Sequence, residues 1–163
     1  MKLAHILALS VLSLATQFAH SSDTAEPPAP HAAAPSADKL AAARKLIDAR
    51  QWSAAITELK RVDDRSSADW NNLMGYASRK AATPDLAASE KYYDAALRID
   101  PHHRNTLEYS GELYLMKGDL PKAQSRLAAL QSECGTSCSQ YGDLKTAIDR
   151  YVSNGNKYVS NGW

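Results

Sequence analysis

Cys134 and Cys138 are the only cysteines in this 163-residue chain, and they bracket Gly135, Thr136 and Ser137. Thiols at that separation offer three chemistries: a structural disulfide, thiol–disulfide exchange, or two soft ligands for a metal ion. The spacing is C-x-x-x-C rather than the C-x-x-C of thioredoxin-type motifs, and two ligands without a third nearby define no zinc site. In an exported chain a disulfide is the leading reading. Closing so short a loop contributes only about 2 kcal/mol through chain entropy, so its main work would be to fix the turn it spans. Redox exchange and soft-metal handling through the Cys134/Cys138 pair stay open beside it. His102 and His103 follow Asp100 and Pro101, where two imidazoles and a carboxylate offer themselves to a transition metal. Adjacent residues in a turn point apart, so exposed loop histidines are the expectation. Spacing assembles no nucleophile, base and orienting group elsewhere, so no catalytic residue, metal or cofactor is expected and an enzyme is not the reading.

Bulk properties narrow the partner class. Nineteen Lys and Arg stand against eighteen Asp and Glu, so no cationic excess points to nucleic acid. Apolar residues at 44% and charged residues at 23% are ordinary for a folded globular chain. Lys2 precedes an apolar run from Leu3 to Ala15 that is too short to span a bilayer, and Ala19, His20 and Ser21 suit a cleavage site. Residues 1–21 are therefore expected to be a signal peptide. No cysteine follows the apolar run to carry a lipid, and no later stretch could anchor the protein, which implies a periplasmic or secreted product with no stable membrane anchor. Residues 22–37 hold Pro27, Pro28, Pro30 and Pro35 among Ala and Ser, the composition of a disordered linker. At the other end, Tyr151-Val-Ser-Asn-Gly155 recurs as Tyr158-Val-Ser-Asn-Gly162 before Trp163. Gly and Asn there stop a helix, so residues 153–163 are expected to be a flexible tail, with Tyr158 and Trp163 contacting a partner or folding back on the solenoid as the sharper alternative.

What must position these residues is a repeat. Ala55, Ser89 and Ala123 lie 34 residues apart, as do Leu59, Tyr93 and Leu127, then Val62, Ala96 and Leu130, then Trp52, Leu86 and Leu120. Within each copy the first three positions are separated by four and then three residues, which puts them on one helical face. Ahead of each lies a second helical stretch with a small residue, Ala43, Gly75 or Gly111, where a neighbouring helix can approach closely. Ala81 to Pro84 lengthens one turn, and Asp100-Pro101 ends one helix. Each unit is helix, turn, helix. Leu144, Ala147, Ile148 and Tyr151 supply one further amphipathic helix, suited to cap the stack.

The third copy resembles the tetratricopeptide repeat (TPR) family, with Leu107, Gly111, Tyr114, Gly118-Asp119, Ala123, Leu127 and Leu130 where that repeat has a large residue, Gly, an aromatic, a turn, Ala and two apolar positions. The second copy keeps Leu73, Gly75, Asp85, Tyr93, Ala96 and Asp100-Pro101; the first keeps Ala43, Leu46, Trp52, Ala55, Leu59 and Val62. The resemblance implies an all-α fold over residues 38–152: a short TPR-like solenoid of about three helix-turn-helix repeats plus a C-terminal capping helix. It also implies a concave face lined by the first helix of each repeat. On this chain those positions are Arg44, Ile47, Asn72, Tyr76, Arg79, Asn105, Glu108, Glu112 and Leu115. Some members clamp a peptide's C-terminal carboxylate with Lys, Arg and Asn. Glu108 and Glu112 would place negative charge in this groove, so that ligand is not carried over. The resemblance implies an exported adaptor that docks a protein or peptide with polar and basic groups, Tyr76 acting as a rigid anchor. The alternative is an envelope redox or metal-handling accessory protein using Cys134 and Cys138.

Overall fold

The computed structural model describes residues 38–159. The proposed signal peptide, the proline-rich linker and Trp163 lie outside the described residues. Seven helices follow one another, and no strand occurs among the described residues: α1 Ala41–Asp48, α2 Trp52–Val62, α3 Ala68–Lys80, α4 Leu86–Ile99, α5 Arg104–Met116, α6 Leu120–Cys134 and α7 Ser139–Ser153. None of them is long and apolar enough to cross a membrane.

Local chemistry sets most of the helix starts. Ser67, Asp85 and Asp119 each accept a hydrogen bond from the backbone N–H three residues on, which satisfies a donor that the first helical turn leaves free. His103 does the same for α5, its Nδ1 accepting from the Thr106 N–H at 3.2 Å. Pro121 stands in the first turn of α6, where its missing N–H costs nothing. Helix α4 stops at Ile99, and Asp100 is extended ahead of Pro101, as the restricted backbone before a proline requires.

Packing sorts the helices into two layers. Every helix packs on its neighbours in the chain; in addition the backbones of α1 and α3, of α3 and α5, and of α5 and α7 approach closely, while those of α2, α4 and α6 stay apart, α4 and α6 meeting through Asp94 and Arg126 at 4.0 Å. The odd helices therefore form the tighter inner layer and the even helices the splayed outer one. The repeated small positions Ala55, Ser89 and Ala123 are all fully buried. Leu59 and Tyr93 are also buried, Leu59 with Ala43 and Trp70, whereas Leu127 is half-buried against the cluster of α5, α6 and α7, where Leu130 is fully buried. The Trp70 indole donates to the Leu59 carbonyl at 2.7 Å and ties α3 to the end of α2.

Two glycines mark the close approaches. A Cβ at Gly75 would sit 2.6 Å from the Tyr93 ring, and one at Gly111 would sit 2.5 Å from the Leu144 side chain. The small residue of α3 and that of α5 are thus each a seat for a large one, Tyr93 from α4 and Leu144 from α7. With Ala147, Ile148 and Tyr151, Leu144 forms the buried face by which α7 packs on α5 and α6.

Candidate functional site

The inner layer carries two adjoining concavities. The first, about 270 Å³, is lined by Arg44 and Ile47 of α1, Asn72 and Tyr76 of α3, and Asn105 and Tyr109 of α5. The second, about 210 Å³, is walled by Tyr76, Arg79, Asn105, Tyr109, Glu108 and Glu112. Tyr76, Asn105 and Tyr109 belong to both. The structure thus brings Arg44, Asn72, Tyr76, Arg79, Asn105, Glu108 and Glu112 onto one continuous surface. Leu115 is different: it is 1% exposed and part of the apolar core, because α5 is covered on several sides by α3, α4, α6 and α7.

Several groove residues are engaged with one another. Arg44 donates to Asp69 of α3 at 3.1 Å, and Asp69 in turn faces His103 Nε2 at 3.0 Å. His103 Nδ1 meets the Thr106 amide and hydroxyl at 3.2 and 2.8 Å, so the one imidazole links the start of α5 to Asp69 of α3. Asp69 is held below the usual carboxylate value: partial burial pushes it up, but His103 and Arg44 outweigh that. Asn72 is only 1% exposed and accepts from the Thr106 hydroxyl at 3.1 Å. Gln140 of α7 donates to Asn105 at 2.8 Å. A polar contact therefore joins each inner helix to the next along the N-terminal rim: α1 to α3, α3 to α5, and α5 to α7.

The second cavity has the stronger electrostatics. Arg79 is 3% exposed, pairs with Glu112 at 2.7 Å, and lies 5.5 Å from the centre of the Tyr76 ring and 5.8 Å from that of Tyr109. Burial opposes its charge, but Tyr93 and Glu112 more than offset this and hold its pKa above the ordinary value. Tyr76 and Tyr109 are in ring contact, centroids 4.6 Å apart, and Trp52 meets Tyr76 edge-on at 5.9 Å. Burial pushes both phenols up.

Glu108 departs most from expectation. It is 6% exposed, lines the cavity and forms no hydrogen bond or ion pair among the described residues. Burial, with the like charges of Glu112 and Asp143, pushes its carboxyl up to about 8 against the pull of Arg79. The negative charge expected of Glu108 and Glu112 is therefore largely masked at neutral pH, one carboxyl holding its proton and the other paired with Arg79.

The cavity also takes residues that repeat spacing did not single out. Tyr109 stands four residues after Asn105, the helical step that carries one face to the next turn, so periodicity could have found it. Gln140 and Asp143 come from the polar side of α7, whose apolar face packs on the core. Tyr158 closes the wall from beyond α7. Gly155 and Asn156 both have positive φ, which turns the chain back so that Tyr158 packs half-buried against the groove. Burial raises its phenol, opposed by Arg79. No sequence signal separates that fold-back from an open tail.

The remaining chemical residues lie elsewhere. Cys134 and Cys138 form a disulfide with Cα atoms 5.9 Å apart at the junction of α6 and α7, a linkage compatible with an oxidising compartment. His102 and His103 diverge, His102 to Glu133 at 2.6 Å and His103 to Asp69, and His103 is a half-buried cap, not an exposed loop residue. Among the described residues no cluster of three His, Cys, Asp or Glu side chains is placed to hold a metal ion. No family model, no curated protein and no solved structure matches the chain.

Proposed function

We propose that the chain is an exported, TPR-like adaptor that docks a segment of another protein along the concavities of α1, α3 and α5, by reversible binding without a covalent step. One observation carries this reading: of the nine positions that the resemblance implies for the concave face, eight line these two adjoining concavities, Leu115 being the exception. Its walls are preorganised. Arg79 is clamped by Glu112 and two tyrosine rings, and the rim is tied helix to helix, so little side-chain freedom remains to be lost on binding. Tyr76, between the two concavities, offers a rigid ring with a polar tip, the residue type that concentrates binding energy at interfaces.

Capture of envelope proteins by the tagged full chain, with quantification by mass spectrometry, tests the reading. A specific partner should be retained by the wild type and reduced about tenfold or more by Tyr76→Ala, the loss expected for a central aromatic anchor. Retention unchanged in both Tyr76→Ala and Asn105→Ala would overturn the groove as the binding surface.

A further inference from the structure

The cavity of about 210 Å³ presents a carboxylate that has no partner among the described residues. Glu108 is buried to more than nine-tenths, and Arg79, whose positive charge acts on it, is already committed to Glu112. A carboxyl group in such a place is stable only as the neutral acid or opposite a cation brought from outside. Asp143 adds a second carboxylate from α7, while Tyr109 and Tyr158 supply aromatic walls. Carboxylates and tyrosine rings lining one cavity are complementary to a positive charge carried on an alkyl stem. The volume is several times the roughly 30 Å³ share of one water molecule, which is room for one such side chain rather than a helix.

We infer that this cavity receives the ammonium group of a lysine side chain from the docked segment, with Glu108 and Asp143 facing the charge and Tyr109 and Tyr158 flanking the stem. The inference rests on the adaptor reading for the source of the lysine, although the cation site stands on its own geometry. Other charged and titratable groups face Glu108 from the surrounding elements: Arg79, Lys80 and Tyr76 from α3, Glu112 and Tyr109 from α5, Asp143 from α7, and Tyr158 from the returning chain. Lys80 shares the cavity, and its own charge is disfavoured, first by burial and then by Arg79. Binding would therefore exchange a proton for a cation. The Glu108 carboxylic acid releases its proton to the buffer, and the ammonium, which keeps all its protons, takes up the position opposite the carboxylate.

The test is calorimetric titration of the full chain with a capped Ala-Ala-Lys-Ala-Ala peptide, its Nε-acetyl-lysine counterpart and n-butylammonium, in buffers of different ionisation enthalpy. The expected result is saturable binding of the lysine peptide, release of close to one proton per peptide at neutral pH, and affinity rising about tenfold between pH 7 and pH 9 as Glu108 ionises without assistance. Acetylation should abolish binding. Glu108→Gln should weaken it about tenfold or more and eliminate the proton release, and Asp143→Asn should weaken it less. Equal binding of the acetylated peptide, or affinity and proton release unmoved by Glu108→Gln, overturns the cation site. Binding of n-butylammonium as tight as that of the peptide overturns the docked segment as its source. The adaptor reading fails separately. Partner retention that depends on Tyr76 but not on Glu108 leaves that reading standing without the lysine, and peptide binding with no envelope partner retained leaves the cation site standing without the adaptor.

Discussion

Glu108 couples the groove to folding stability. Its carboxyl has an ordinary value of 4.5 and is raised by burial to about 8 in the folded chain, so between those limits the folded state binds more protons than the unfolded one. The protonated group's contribution is complete below about pH 4.5 and is lost as the pH rises toward 8. Glu108→Gln keeps the shape without the charge. It should therefore be more stable than wild type by about 3 kcal/mol near pH 7, with the difference vanishing below about pH 4.5. Urea denaturation across that range measures this, and a pH-independent difference would show that Glu108 is not buried as described. Arg79 has the opposite character. Arg79→Met removes the partner of Glu112, whose side chain is only 13% exposed, and should cost about 3 kcal/mol. Adding Glu112→Gln should recover more than half of that loss; simple additivity of the two single costs would refute the pairing as the source. At this scale the sequence was informative about position and silent about state. Helical register put Glu108 and Glu112 on the same surface, but a held proton and a buried ion pair depend on neighbours from α3 and α7 that register cannot supply.

The elements are joined by two kinds of contact, and only one follows from periodicity. Large-on-small packing was legible: Gly75 under Tyr93, Gly111 under Leu144, and Ala55, Ser89 and Ala123 at zero exposure all follow from residue size at helical spacing. The polar rim was not. His103 is an N-cap, and Asp69 lies between Arg44 and His103; neither bond recurs at a fixed interval, and histidine is not a common cap. The disulfide belongs to this scale as well, since it fixes the turn from α6 to α7. Helix α7 is seated mainly by Leu144, Ala147, Ile148 and Tyr151. Replacing both cysteines by serine should therefore lower stability by no more than about 2 kcal/mol and leave α7 docked. Hydrogen exchange of the α7 amides measures the second half of this. Their loss of protection at full solubility would make the disulfide the device that holds the helix, and retained protection together with unchanged partner capture would leave the cysteines no part in recognition.

The array as a whole has one feature that distinguishes its grooved inner face from its core. In the inner layer α1, α3, α5 and α7 touch in series, and the second concavity lies where α3, α5 and α7 meet; its last wall, Tyr158, comes from the segment that follows α7. That segment buries little. Asn154, Gly155, Asn156 and Lys157 are exposed, and Tyr158 is half-buried against Arg79, Lys80 and Glu112. Among the described residues its removal subtracts one aromatic contact from the fold and takes the Tyr158 wall from the site proposed to receive the partner. Ending the chain at Ser153 should consequently lower the melting temperature by only a few degrees, the scale of about 1 kcal/mol in a domain of this size. Partner capture should fall, because the ring that flanks the lysine stem beside Tyr109 is lost. Tyr158→Ala in the full chain should move capture in the same direction, and a double mutant with Tyr76→Ala should lose more than either single change. A rise in capture on truncation would instead make the segment a competitor for the groove, so the sign of that single change decides between a groove completed by its own chain end and a self-occluded one.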